Sequence, residues 1–264
     1  MVRILMIGHG TIASYVAADL RTHDAVEPVG VLCRPGREAA AYRALGDAYP
    51  PLPALPDPAG IDLVLDCAGH DALSQHGAQV LSAGVDLMTV STGALADEAL
   101  AASLEEAAVA GKSCLHLVPG AVGGIDALSA AKAGGLEAVI YRGRKPPAGW
   151  KGSPAETSLD LDRLTAPATH FIGSARDAAR LYPRNANVAA TIALAGLGFD
   201  ATRVELIAEP GLRHNVHEIK ARGAFGRLDL TLEGNPLPGN PRSSALTAMS
   251  MAQAVRRRLA PVRL

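Results

Sequence analysis

Hydrophobic positions follow two alternating rhythms in the first 120 residues. Short continuous apolar runs, of which "VRILMIG" at 2–8 is the first, alternate with longer segments whose apolar residues recur every three or four positions, as at 11–23. Continuous apolar runs are typical of parallel strands buried on both faces, and the longer pattern is typical of amphipathic helices. Strands separated by helices predict a doubly wound parallel sheet of the Rossmann type over residues 1–120.

The rhythm changes after Gly120. A helical pattern and a strand at 136–145 are followed by an irregular segment, two helical patterns and then three strand patterns with no helix between them. Consecutive strands of this kind predict an antiparallel sheet. The three strand patterns lie at 202–210, 213–222 and 226–234.

The predicted fold class is therefore α/β: a Rossmann-type doubly wound parallel sheet followed by an α+β domain. We expect the first domain at 1–120 and the second, with a mostly antiparallel sheet, at 121–242. An amphipathic pattern near 243–259 predicts a helix in the last segment, 243–264, that packs back onto the first domain.

Composition and charge exclude several classes of partner. Apolar residues make up 48% of the chain, charged residues 19%, and the formal net charge is −1. Nucleic acids and anionic membranes both require a basic face, so neither is expected as a partner. No apolar stretch reaches the ~20 residues that span a bilayer, and the three cysteines show neither a disulfide framework nor the spacing of a zinc site. We expect a cytoplasmic protein without a metal.

A glycine-rich turn follows the first strand directly. The segment "GHGTIA" at 8–13 matches the GxGxxG/A fingerprint of dinucleotide-binding proteins and opens a predicted helix. In that fingerprint the first glycine permits a tight turn and the second lets the backbone approach a pyrophosphate, which the free N–H groups of the helix N-terminus bind. We predict that Gly8, Gly10, Thr11 and Ile12 contact the dinucleotide.

The ends of two later strands are expected to complete the cofactor wall. In an open α/β sheet, ligands bind outside the carboxyl ends of the strands. Small residues stand there in "DCAGH" and "STGAL", where a flat ring can approach the backbone. The candidate contacts are Ala68, Gly69, Ser91, Thr92 and Gly93.

The end of the second strand bears on the choice between NAD and NADP. A carboxylate there would hydrogen-bond the ribose 2′-hydroxyl of NAD, but the strand runs into "CRPGR" at 33–37. Arg34 and Arg37 are able to pair with a 2′-phosphate. We expect NAD or NADP as cofactor, with NADP accepted.

Several segments together resemble the L-aspartate dehydrogenase family. They are "DCAGH", "STGALAD", "PGAVGGIDAL", "RKPPAGWKGSPAE", "NANVAATIALAGLG" and "NVHEIKARGAFG", and the resemblance covers essentially the whole chain. It implies NAD(P)-dependent oxidation of L-aspartate to iminoaspartate, which can feed NAD synthesis or hydrolyse to oxaloacetate and ammonia. It also implies a homodimer, a catalytic role for His217, and contacts of Ala121 and Asn187 with the nicotinamide nucleotide.

The chemistry of amino-acid oxidation suits a histidine at position 217. Hydride leaves Cα only when the amine is neutral, so a group that titrates near neutral pH is needed beside it, and an unperturbed histidine titrates at about 6.5. On a strand, His217 shares its face with Asn215, whereas Glu218 points to the opposite face. Asn215 is therefore the neighbour that could orient the imidazole or touch the substrate.

A dicarboxylate substrate also needs a cation, and the sequence offers several without choosing among them. The candidates are Arg142, Arg144, Lys145, Lys151 and Arg184. Among the other histidines, His116 lies in an apolar strand and is expected in the core.

Two other functions fit the same pattern of elements. One is a homoserine- or dihydrodipicolinate-type dehydrogenase, which would share the two-domain plan. The other is a non-catalytic NAD(P)-binding sensor that keeps the fold and turns over no amino acid.

The arginine after the second strand gives a first testable prediction. Replacing Arg34 with Asp should raise the KM for NADP(H) on the order of 10–100-fold, the range of one charge-assisted contact, and should change the KM for NAD(H) much less. Steady-state kinetics with both cofactors measures the ratio. If the ratio of the KM for NADP(H) to the KM for NAD(H) stays at the wild-type value, Arg34 does not contact the cofactor.

Overall fold

A computed structural model describes residues 1–183 and 186–263 of the chain, with only the backbone at 241 and 242. The chain divides into two units. The first contains residues Met1–Gly120 together with the chain from Thr247 onward, and the second contains Ala121–Leu246. None of the helices in the described part is long and apolar enough to cross a membrane.

The first unit is built on a six-stranded parallel sheet whose order is β3-β2-β1-β4-β5-β6. Its strands are β1 (Val2–Ile7), β2 (Val26–Leu32), β3 (Pro51–Leu52), β4 (Leu63–Asp66), β5 (Asp86–Thr89) and β6 (Leu115–Leu117). Residues 4–7 of β1 and all of β4 are buried, because helices cover a parallel sheet on both faces. This strand order is that of a dinucleotide-binding Rossmann fold.

Four helices connect these strands. They are α1 (Thr11–Leu20), α2 (Glu38–Leu45), α3 (His70–Ser82) and α4 (Glu98–Gly111). The start of α4 shows how the local sequence sets a boundary: the Asp97 carboxylate accepts hydrogen bonds from the backbone N–H groups of Ala99 and Leu100.

The second unit contains a five-stranded sheet in the order β11-β10-β7-β9-β8. Its strands are β7 (Leu136–Lys145), β8 (Ala168–Ser174), β9 (Arg203–Ala208), β10 (Asn215–Gly223) and β11 (Gly226–Gly234), and β12 (Pro236–Leu237) pairs separately with β13 (Asn240–Ser244). Only β7 and β9 are parallel, and the other three pairs are antiparallel. The helices of this unit are α5 (Ile125–Gly134), α6 (Ala155–Ser158), α7 (Ala175–Leu181) and α8 (Asn187–Ala195).

The two faces of this sheet differ in chemistry. Val139 and Tyr141 of β7 are buried on the face against which α5 and α8 pack, together with Ile219 of β10. The opposite face carries ion pairs, including Arg142 with Glu205 at 2.6 Å. The period-two alternation of strands produces this division.

The last helix, α9 (Ala245–Leu259), belongs to the first unit from Thr247 onward. It buries Met251 and Val255 in the core of that unit. Arg256 forms an ion pair with Asp19 at 2.7 Å, and Arg258 forms one with Asp86 at 2.6 Å. The arginines that end the helical pattern therefore hold the helix against its unit.

The predicted fold class is confirmed, and three details differ from the predictions. β8 had no clear pattern in the sequence, because it is an edge strand whose register shifts between Thr169 and Phe171, which breaks the alternation. β9 and β10 follow each other in the chain but are not neighbours, since β7 lies between them. The proline-rich segment "PPLPALPDPAG" at 50–60, whose prolines predict an extended surface connection, contributes the short strand β3 at the edge of the sheet, where a missing N–H is tolerated.

The prediction of a core position for His116 was wrong. Its side chain is 37% exposed, and Nε2 lies 3.6 Å from a carboxylate oxygen of Asp86. The reason is that β6 is the other edge strand of the parallel sheet, so its side chains are only partly covered.

Candidate nucleotide and substrate sites

The two glycines of the turn after β1 have different physical roles. Gly8 has φ +90°, and a Cβ built on it would lie 2.7 Å from the Cβ of Ala68, so the turn packs directly on the residues that follow β4. At Gly10, φ is −74° and no atom of the described residues lies within 4 Å of such a Cβ. Packing therefore requires glycine at position 8, whereas position 10 leaves open space in front of the backbone.

The surroundings of that open space suit an anion. Helix α1 begins at Thr11 with no acidic side chain in its first turn, so its N-terminal N–H groups and its dipole favour negative charge. Burial, followed by the charges of Arg37 and Arg34, lowers the pKa of His9. Both exposed arginines thus lie close enough to the glycine turn for their charges to act on His9, and positive charge there suits a dinucleotide phosphate. The residues present fit NAD or NADP.

A buried carboxylate at the end of β4 fixes the loops beside the glycine turn. Asp66 is 1% exposed and accepts hydrogen bonds from the Ala68 N–H at 3.0 Å, the Thr89 hydroxyl at 2.7 Å and the Ser91 hydroxyl at 2.8 Å. Burial raises its pKa, and these hydrogen bonds oppose the shift by stabilising the charged form. Asp66 joins the ends of β4 and β5 at one edge of the sheet, a role that the sequence analysis missed.

The remaining predicted cofactor residues of the first unit lie directly after β4 and β5. Gly69 has φ +109° and precedes α3. Ser91, Thr92 and Gly93 are buried in the turn after β5, and the Ser91 hydroxyl is engaged by Asp66. Ser91 therefore shapes this edge through Asp66.

The other two predicted nucleotide contacts belong to the second unit. Ala121 is buried at the first position of that unit, directly after Gly120. Asn187 is the first residue of α8.

His217 lies on the helix-covered face of the second sheet. It is 4% exposed, and its Nδ1 is 2.8 Å from the hydroxyl oxygen of Tyr141, which is itself 2% exposed. Burial, followed by the positive charge of Lys145, lowers the pKa of His217 to about 4, while burial raises the pKa of Tyr141. The imidazole is therefore neutral at neutral pH. With Nδ1 bonded to Tyr141, Nε2 is the nitrogen that can meet a substrate.

A glycine makes room for this hydrogen bond. Gly143 is the cross-strand partner of His217, and a Cβ added to it would lie 2.7 Å from the Tyr141 hydroxyl oxygen and 3.3 Å from Leu206. The side chain of Tyr141 crosses the position that a side chain at 143 would occupy. Glycine at 143 therefore allows the Tyr141 hydroxyl to reach the imidazole.

The orienting partner of His217 is thus Tyr141 from another strand. Asn215, the candidate named from the strand alternation, starts the same strand two residues earlier. The placement of Glu218 on the opposite face is confirmed, because Glu218 pairs with Arg144 at 3.2 Å. The alternating set 141, 143, 145 on β7 is the sequence signal that could have indicated the tyrosine.

The candidate cations separate according to the sheet face on which they lie. Arg142 and Arg144 are on the face opposite His217, where Arg144 also pairs with Glu209 at 2.9 Å. Lys151 is half-exposed and pairs with Asp162 at 2.5 Å. Arg184 lies outside the described residues.

A Rossmann unit with an open glycine turn, followed by a mixed-sheet unit with a buried and oriented histidine, defines the class of nicotinamide-dependent dehydrogenases. Comparison with known proteins gives the family within that class. The family model described as "Aspartate dehydrogenase, C-terminal" matches residues 126–258, and the model described as "Homoserine dehydrogenase, NAD binding domain" matches residues 8–117. The chain belongs to the aspartate dehydrogenase family.

Individual relatives agree with this assignment. An L-aspartate dehydrogenase of Ruegeria pomeroyi is 57% identical over 99% of this chain and 94% of its own length, and one of Pseudomonas aeruginosa is 48% identical over 97% of both. A crystal structure of aspartate dehydrogenase from Thermotoga maritima has a TM-score of 0.80 at 26% identity, covering 100% of this chain and 99% of that one. An archaeal homoserine dehydrogenase, with a TM-score of 0.59 at 12% identity over 97% of both chains, shares the fold alone.

The buried carboxylate of the first unit gives a testable prediction. Asp66→Asn turns an amide N–H₂ toward donors that need an acceptor, so the variant should lose about 1–3 kcal/mol of unfolding free energy. It should also bind reduced nicotinamide nucleotide on the order of 10-fold more weakly, because the loops after β4 and β5 lose their common anchor. Thermal unfolding and nucleotide fluorescence titration measure the two effects.

Asp71→Asn, an exposed carboxylate in the first turn of α3, is the matched control and should leave both quantities near the wild-type values. If Asp66→Asn also does so, Asp66 is not the anchor of this edge.

Proposed function

We propose that this chain oxidises L-aspartate to iminoaspartate with NAD or NADP, and that the reverse of this oxidation and of the hydrolysis that follows it is a reductive amination of oxaloacetate. Hydrolysis of iminoaspartate then gives oxaloacetate and ammonia. The observation that carries the proposal is the buried pair of His217 and Tyr141 inside the unit that matches the aspartate dehydrogenase model. The names of the two bacterial relatives support the same substrate.

His217 serves as the proton acceptor in this proposal. The substrate ammonium must lose a proton before hydride can leave Cα, and a neutral imidazole with Nε2 available is able to take it. A pKa of about 4, set by burial, makes a weak base, but a dicarboxylate beside the imidazole stabilises its charged form and raises that pKa toward neutrality. Once the imidazolium has released that proton to solvent, the neutral imidazole can activate the water that attacks the imine.

The cofactor supplies the hydride acceptor when it is bound, and the chain's own residues hold it in place. Gly10 and the start of α1 at Thr11 and Ile12 receive the pyrophosphate, and Gly8 keeps the turn close to Ala68. Arg34, whose charge acts on His9 of the glycine turn, would pair with a 2′-phosphate, which supports the use of NADP as well as NAD. Formation of reduced cofactor with L-aspartate, compared with L-homoserine, tests the proposed substrate directly.

Replacing the proposed base provides the test of mechanism. His217→Ala should lower kcat for L-aspartate on the order of 10²–10⁴-fold, the usual contribution of general acid–base catalysis, and should leave the Kd for NADPH unchanged. The two values are measured on the same folded preparation by steady-state kinetics and fluorescence titration.

His214→Ala, three residues earlier and outside β10, serves as the matched control and should keep its turnover. A structural role for His217 gives the reverse pattern, a lower melting temperature with near-normal kcat, and that result would refute the assignment.

We also propose a homodimer in which region 202–234 supplies much of the interface. The supporting feature is the sheet face opposite His217, where Glu205 and Glu218 are held by arginines and Ile172, the cross-strand partner of Glu205, is 57% exposed. Charges of both signs on one face suit a two-fold contact, in which each patch meets its own copy.

This interface has a direct test. Ile172→Asp should shift the protein from dimer toward monomer at micromolar concentration, since it adds an unpaired charge to the contact. Light scattering coupled to size-exclusion chromatography reports the mass. Val109→Asp, at an exposed apolar position on α4, should remain dimeric. A monomeric wild-type protein would refute the homodimer.

A further inference from the structure

The sheet of the second unit selects among the cations that could meet a dicarboxylate. Arg142 and Arg144 point away from His217, and their guanidinium groups are bonded to glutamates on the opposite face. Lys151 is held by Asp162 at the surface. Among the candidates in the described residues, Lys145 is the one whose position in the strand places it on the face of His217.

The position of Lys145 is fixed by its strand. It follows Tyr141 and Gly143 at two-residue intervals, so its side chain leaves β7 on the same face as that of Tyr141. Its carbonyl accepts a hydrogen bond from the Glu209 N–H at 2.9 Å. Because Gly143 pairs with His217, Lys145 is the diagonal cross-strand neighbour of His217. The Cα atoms of diagonal neighbours are roughly 7–8 Å apart, a distance that a long side chain can span.

An aromatic side chain defines where the ammonium lies. Nζ of Lys145 is 5.0 Å from the ring centroid of Trp150, a cation–π distance. The ring is immobilised, since Trp150 is 1% exposed and donates its Nε1–H to the carbonyl of Ile207 at 3.0 Å. The charge is therefore held in a partly dry position next to the proposed base.

We propose that Lys145 binds the side-chain carboxylate of the dicarboxylate substrate beside His217, and so determines specificity for an acidic amino acid. This inference rests on the proposed function. A side-chain carboxylate placed between the two residues stabilises the Lys145 ammonium and the protonated form of His217. A neutral amino acid has only its α-carboxylate and lacks this group.

The titration behaviour of the two groups agrees with this arrangement. Burial lowers the pKa of Lys145 to about 8, so the ammonium is still charged at neutral pH. The same charge contributes to the low pKa of His217. A bound carboxylate reverses both effects, because it favours the protonated forms.

The test compares Lys145→Met, which keeps the length and removes the charge, with Lys145→Arg, which keeps the charge. Lys145→Met should raise the KM for L-aspartate on the order of 10–100-fold with a much smaller change in kcat, the pattern of a lost binding contact. It should also weaken the binding of succinate, a dicarboxylate with no amine to oxidise, by a similar factor. Calorimetric titration in the presence of cofactor measures that affinity. Lys145→Arg should restore most of the affinity for both.

Lys151→Met is the matched control, a lysine six residues further on that already has Asp162 as its partner, and it should keep wild-type values. Nucleotide affinity should be unchanged in all three variants. If Lys145→Met loses its cooperative thermal transition, Lys145→Gln is measured in its place.

Three results would overturn the inference. The first is wild-type succinate affinity and KM in Lys145→Met. The second is a 10²–10⁴-fold loss of kcat with unchanged succinate binding, which would make Lys145 a proton-transfer group. The third is a wild-type protein that binds no succinate. Failure of the proposed function is distinct, because it appears as absent turnover of L-aspartate by the wild type, whereas succinate binding requires no turnover.

Discussion

The alternation of side chains along β7 is the constraint on which the chemistry of the second unit depends. β7 is the central strand, paired with β9 on one side and β10 on the other, so its register is fixed from both edges. Tyr141, Gly143 and Lys145 face His217, while Arg142 and Arg144 face the ion pairs on the other side. A slip of one residue would exchange the two sets and leave the arginines buried against the helices.

Each unit contains a buried polar group at its proposed site. Hydrogen bonds from distant strands satisfy that group. In the first unit the group is Asp66, bonded to Thr89 and Ser91, and in the second it is His217, bonded to Tyr141. Burying a polar group lowers the stability of the fold when the group has no hydrogen-bond partner. When it has partners, they hold the group in a fixed orientation. These hydrogen bonds therefore fix the strand ends in the first unit and the orientation of His217 in the second.

The low pKa of His217 couples substrate charge to reactivity in the proposed mechanism. Burial and the neighbouring Lys145 make the imidazole a poor base on its own. An acidic substrate brings a second carboxylate whose negative charge corrects this, whereas a neutral amino acid of similar size has only its α-carboxylate. In this mechanism a dicarboxylate is preferred in the proton transfer step as well as in binding, because its charge raises the pKa of His217.

The sequence by itself determined the alternation of strands and helices in the first unit, the glycine turn, the family resemblance and the face of β10 on which His217 lies. Each of these follows from local spacing, because strand and helix periods and turn chemistry are properties of neighbouring residues. Only the tertiary structure decided that Tyr141 orients His217 from 76 residues away, that Asp66 joins two strand ends, and that Lys145 is the cation on the face of His217. These relations depend on which strands pair and in what register, and non-local burial, more than any local pattern, fixes that choice.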